Sequence, residues 1–215
     1  MLFSLVSSGS IFIAAIIGLI RFKDIHQSYW PFVFVCWLAC LNELISWVLI
    51  FTIKTNGVNN SIYGIVEVML YLWLFRGWGQ FNNKKRSYVF TIIMLWVVWI
   101  VENIFFNHIF NTGFWFVAVY SLTLVFVALN EINLILMTER GSLFRNSRFL
   151  ISLSITFFYT YFLIIAIFFI SKLHFSAIFY SHVYSVLQAV NIFINLVYAL
   201  AMLWAPRNQR FILSY

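Results

Sequence analysis

Glu43, Glu67, Glu102 and Glu131 each sit inside an apolar run long enough to cross a bilayer, and no Lys or Arg lies deep in those runs. A carboxyl group at membrane depth is costly, so it faces a bundle interior or a wet cavity and is by default a candidate functional site. Such a group can exchange a proton, hold a cation or bind the polar end of a small solute. It can equally fasten one helix to another, each such hydrogen bond contributing only about 0.6 to 2 kcal/mol in a membrane. Both readings stay open at the level of the sequence.

The partners of these acids follow from helical spacing. Tyr184, Gln188, Asn191, Asn195 and Tyr198 recur at steps of four, three, four and three, which traces one face of one helix. Tyr63, Glu67 and Tyr71 share a face in the same way, as do Glu43 and Ser46. With a rise of about 1.5 Å per residue, Glu43 falls near mid-membrane, Glu67 slightly outside it and Glu102 in the outer half. Convergence of these faces predicts an outward-facing pocket of Glu43, Glu67, Glu102, Tyr63, Tyr184 and Gln188, with Asn191 on the same helix face as the last two. Glu131 falls in the inner half, where Asn130 and Asn195 are expected to join it in a second polar cluster.

The elements that must position these groups are dictated by composition. With 64% hydrophobic and only 9% charged residues, the 215-residue chain has too little polar surface to cover a soluble globule. A membrane-spanning helix needs about 20 predominantly apolar residues. Seven stretches qualify, at roughly 3–20, 30–53, 60–75, 88–107, 114–137, 149–171 and 177–204. The fold class expected is an all-α seven-transmembrane-helix bundle forming a single domain over 1–215. A β-barrel would show alternating segments of about 10 residues, and these runs are far longer. The longest non-apolar stretches, near 76–87 and 138–148, are loop-sized and leave no room for a soluble domain.

Lys and Arg are retained on the cytoplasmic side during insertion. Of the thirteen, eleven fall on one side (Arg21, Lys23, Arg76, Lys84, Lys85, Arg86, Arg140, Arg145, Arg148, Arg207 and Arg210), and only Lys54 and Lys172 fall on the other. The bias predicts an outside N-terminus and a cytoplasmic C-terminus. It also accounts for the net charge of +7 without a nucleic-acid partner, since basic loops meet anionic headgroups. The first run does not read as a secretory signal, because its positive charge, Arg21 and Lys23, comes after the apolar segment. That run carries Ser7, Ser10, Ala14 and Gly18, a small-residue stripe suited to close helix packing or to a homo-oligomer contact.

Several chemistries are excluded or weakly supported. No G-x-S-x-G, H-E-x-x-H or phosphate-binding glycine loop occurs, so no enzyme activity is expected. The one aspartate, Asp24, is in a loop, and the last span has no lysine for a retinal Schiff base. Cys36 and Cys40 are too few for a structural zinc site. His108, His174 and His182 map near the outer surface but match no ligand spacing, so neither a metal nor another cofactor is expected. Trp30, Trp78, Trp115 and Trp204 fall near span ends, as headgroup belts do. Trp47, Trp96 and Trp99 lie deeper, where they line the pocket or fill the core. No proline interrupts a span, so the broken helices of many transporters are not signalled.

Asn60-Ser-Ile-Tyr63-x-x-x-Glu67 and the ending Asn191-x-x-x-Asn195-Leu-Val-Tyr198-x-x-x-x-x-Trp204-Ala-Pro206-Arg resemble those of seven-span proteins of Bacteroidota to which no activity is assigned. The resemblance covers two spans and the layout of the rest. It implies a bacterial inner-membrane location and lends no activity. The functional expectation is therefore a protein that transports or senses a proton, cation or small polar solute. The alternative is a non-catalytic subunit or signalling partner, of the kind found in bacterial defence systems, that binds another membrane protein.

Overall fold

The computed structural model describes residues 2–82, 84–106, 113–138, 142–171 and 176–207. Among these residues the seven main helices are α1 (Leu2–Arg21), α2 (Trp30–Thr52), α3 (Gly57–Gly77), α4 (Lys85–Ile100), α5 (Phe114–Thr138), α6 (Ser147–Ile170) and α7 (Ala177–Trp204). Among the described residues the chain is all-helical, with one isolated backbone bridge between Ile25 and Arg207. Six helical segments, those containing α2 to α7, are long and apolar enough to cross a membrane.

The boundaries agree with the apolar runs to within a few residues, and local chemistry explains the ends. Pro31 opens α2, where its missing N–H would have no helical acceptor. Lys54, with φ 61°, adopts the left-handed conformation that closes α2, its N–H bonding back to Leu49 O at 3.1 Å. The Asn146 side chain caps α6 by accepting from the N–H groups of Arg148 and Phe149. Ser176 caps α7 in the same way through Phe179 N–H. α4 alone is short, at 16 residues. A π-helical turn, Val101–Phe105, extends it to a 21-residue apolar segment.

Neighbouring helices pack in the cyclic order α1, α2, α3, α5, α6, α7 and back to α1, while α4 lies against α3 and α5 outside this ring. Only Leu95 of α4 is buried. The α1 stripe is consumed inside the ring: Ser7 and Ser10 are buried, and a Cβ on Gly18 would meet Val33 and Met202 at 3.2 and 3.3 Å. α1 is locked to α7 by the Arg21 guanidinium, which donates to the carbonyls of Met202, Leu203 and Ala205 and so satisfies the open C-terminal end of α7. His26 N–H adds a bond to Pro206 O at 2.9 Å.

The two ends of the bundle differ in charge. Arg21, Lys23, Arg76, Lys84, Lys85, Arg86, Arg145, Arg148 and Arg207 occupy the α1–α2, α3–α4 and α5–α6 connections, the adjoining helix ends and the segment after α7. Of the described cations only Lys54 belongs to the opposite end. Arg140, Lys172, Arg210, His108 and His174 lie outside the described residues. The Trp pattern departs from a simple belt: Trp78 is buried against Tyr29 and Phe75, and Trp30 stacks on Phe22, whereas Trp115 and Trp204 are exposed.

Candidate functional site

Inside the ring, towards the end opposite the basic loops, lies a cavity of about 460 Å³. Each of the six ring helices supplies part of its wall, and the polar faces anticipated from spacing point into it. Tyr184, Gln188, Asn191, Asn195 and Tyr198 all line it from α7, Tyr63, Glu67 and Tyr71 from α3, and Glu43 and Ser46 from α2. Glu43 and Glu67 each lie about nine or ten residues from the pocket end of their helix, some 15 Å below it at the α-helical rise. No Lys, Arg or His lines the cavity among the described residues.

Glu67 is the buried centre of this arrangement, 7% exposed. Its Oε1 accepts the Tyr63 hydroxyl at 2.6 Å, one turn earlier on the same helix. Tyr71 and Tyr198 share a hydrogen bond of 2.9 Å at the cavity floor. Tyr159 stands edge-on to both Tyr71 and Tyr120, with ring centroids 5.9 and 5.8 Å away. Its hydroxyl is buried at the cavity wall and is directed at the Glu67 carboxyl without closing a hydrogen bond of regular geometry. The Glu43 carboxyl likewise makes no hydrogen bond or ion pair among the described residues. Tyr184, 66% exposed, stands on the first turns of α7 at the cavity mouth.

Amide and hydroxyl groups hold the walls together. Asn191 donates to the Ser7 hydroxyl at 3.2 Å and Asn195 to the Ser10 hydroxyl at 2.8 Å, stitching α7 to α1. Ser7 in turn donates to the backbone carbonyl of Gln188. Across the cavity, Asn59 donates to Asn42 Oδ1 at 2.7 Å and to Ser46 Oγ at 3.1 Å, and Asn56 donates to Ser46 Oγ at 2.7 Å. Trp47 lines the mouth, whereas Trp99 acts in packing, its indole N–H donating to Ser61 O at 3.0 Å.

The four acids do not form one cluster, and two expectations need correction. Glu102 does not join Glu43 and Glu67. The π-helical turn directs its carboxylate to the start of α5, where Trp115 and Phe116 N–H donate to it at 2.9 and 2.5 Å. A carboxylate there satisfies otherwise unpaired amides and meets the positive end of the helix dipole. Gly113 makes this possible, since a Cβ at that position would lie 2.6 Å from the carboxyl carbon. The adjacent Asn103 is also taken, accepting from Ser61 and donating to Trp99 O.

The second polar cluster does not form either. Glu131 is 2% exposed and sits 3.6 Å from Arg148 Nε, so a guanidinium compensates it after all. Arg148 opens α6, also donates to Trp78 O at 2.7 Å and lies over the Trp78 ring at 5.3 Å. Asn130 is exposed, and Asn195 belongs to the α1–α7 seam and the main cavity.

Tyr120, Tyr159 and Asn56 were not anticipated as wall residues, nor Asn59 as the partner of Asn42 and Ser46. Tyr120 is followed by Ser121 and Thr123, and Tyr159 by Thr160 and Tyr161, so hydroxyl residues fall on several faces of α5 and α6 and no periodicity singles these two out. The amides lie in the α2–α3 turn and the first turn of α3, ahead of the predicted start of that span. Cys36 and Cys40 are buried free thiols of α2. The chain matches no family model, no curated protein and no solved structure, which leaves the geometry of the cavity to carry the functional reading.

Proposed function

We propose that this is a seven-span membrane protein, with the start of α1 outside and the segment after α7 cytoplasmic, that admits a proton, cation or small polar solute from outside and transports or senses it. The resemblance in α3 and α7 adds a bacterial inner-membrane setting. One observation carries the proposal: a polar cavity enters an otherwise apolar ring of helices and reaches Glu67, near the middle of α3. Transport and sensing share this site, and both need an acid that is reachable yet surrounded by apolar helices.

The competing role is an accessory subunit whose acids act as interhelical glue. It accounts well for Glu102 and Glu131, whose oxygens meet protein partners. It does not account for the cavity or for the Glu43 carboxyl, which meets no partner among the described residues. The internal use of the α1 stripe also removes the main surface feature suggesting a second copy or partner.

The test is flux or solute binding in proteoliposomes and nanodiscs. Uptake or binding that the wild-type protein supports and Glu67→Gln abolishes, with the variant still folded, is the expected result. Wild-type protein that moves and binds neither protons, cations nor polar solutes would refute the reading.

A further inference from the structure

Resting on the reading of the cavity as a solute site, we propose that its ligand is a small organic ammonium, an amine cation whose nitrogen sits against the Glu67 carboxylate with the tyrosine-lined floor around it. Glu43 and Glu67 both face the cavity, and no Lys, Arg or His among the described residues faces them. A buried carboxyl without a cation is ionised only at a cost and otherwise holds a proton, and a ligand that brings a positive charge stabilises the ionised form. An anionic solute would meet two carboxyls and, among the described residues, no base. A neutral polyol would leave both carboxyls as they were.

The wall's hydrogen-bonding character agrees with this choice. Asn191 and Asn195 direct their NH₂ groups at serines of α1, and their carbonyl oxygens accept no hydrogen bond among the described residues. The Glu67 carboxylate has one oxygen engaged by Tyr63. Tyr159, 1% exposed, turns its hydroxyl towards the Glu67 carboxyl at the cavity wall, where it is a further oxygen for a ligand nitrogen held there. A primary ammonium is a donor with three N–H groups and no acceptor, the complement of these oxygens.

Size and ring content separate an organic cation from a bare ion. Hard divalent ions require six or more converging oxygens at short range, and no group of three His, Cys, Asp or Glu side chains comes together among the described residues. The cavity volume of about 460 Å³ falls in the range of small-molecule pockets. Tyr63, Tyr71, Tyr120, Tyr159 and Tyr198 offer hydroxyl oxygens and aromatic surface, and aromatic surface attracts weakly hydrated ammonium groups.

Matched pairs of probes test this on the full chain in lipid nanodiscs by calorimetry: ethanolamine, putrescine and phenethylamine against ethylene glycol, butanediol and phenethyl alcohol, with sodium and potassium chloride alongside. At least one amine is expected to bind while its alcohol counterpart does not. Glu67→Gln should weaken that binding by at least about tenfold, as loss of one partner of a buried charge pair does. Tyr159→Phe, which removes one oxygen and keeps the ring, should weaken it several-fold without lowering the melting temperature, and it serves if the Glu67 variant fails to fold. Alcohols binding as well as amines, or a Glu67-dependent response to sodium, potassium or protons alone, overturns the ammonium assignment while leaving the solute site standing. No Glu67-dependent binding or flux of any kind overturns both.

Discussion

At the scale of single residues, burial alone does not tell a functional carboxyl from a structural one; the partner does. Glu67, Glu102 and Glu131 are all at most 7% exposed, yet the first lines a cavity, the second caps a helix and the third meets an arginine. Their substitutions should separate accordingly. Glu131→Gln removes one side of a pair whose arginine is partly exposed, so the loss of stability should be about 2 kcal/mol, between the surface and fully buried cases. Thermal unfolding in detergent reads this, with ligand binding unchanged once the protein is folded. Gly113→Ala should cost more, because its Cβ must displace the Glu102 carboxyl from the α5 amides. A drop of several degrees in melting temperature is expected, and an unchanged value would contradict the tight approach.

Elements matter here through their ends and seams. α4 bonds to the ring through Trp99 and through its π-helical turn, and that turn is what points Glu102 at α5 and Asn103 at Ser61. A π turn inside a helix costs regular hydrogen bonding and is kept where the redirected side chains have work. The α1–α7 seam is polar where α7 faces the cavity and is closed by Arg21 at the opposite end. Asn195→Leu should lower stability by only about 1 kcal/mol, as single interhelical bonds do in membranes, yet it should reduce solute binding because the residue is also a cavity wall. Equal binding by this variant and the wild type would place the cavity floor elsewhere.

For the whole molecule, the arrangement predicts sidedness. A cysteine at Lys54, beside the cavity end, should react with an impermeant thiol reagent in intact cells. A cysteine at Lys84, in the basic α3–α4 connection, should react only after permeabilisation. Buried Cys36 and Cys40 should stay silent in both. The reverse labelling pattern would turn the cavity to the cytoplasm, and its ligand would then have to come from inside the cell.

Much of this was legible in the residues themselves. Apolar run length and the need to satisfy every backbone group in lipid leave helices as the solution, and the runs place their ends closely because Pro31, Asn146 and Ser176 carry local capping chemistry. The polar face of α7 was likewise readable, since a helix repeats its face every three or four residues whatever surrounds it. What the chain order alone does not contain is which face meets which. Glu102 and Phe116 are fourteen residues apart and Ser10 and Asn195 are 185 apart, so their pairing depends on helix rotation and neighbour order. Tertiary packing therefore decided that two acids share a cavity while two serve the scaffold, because only packing determines whether a carboxyl meets a ligand space, an amide or a guanidinium.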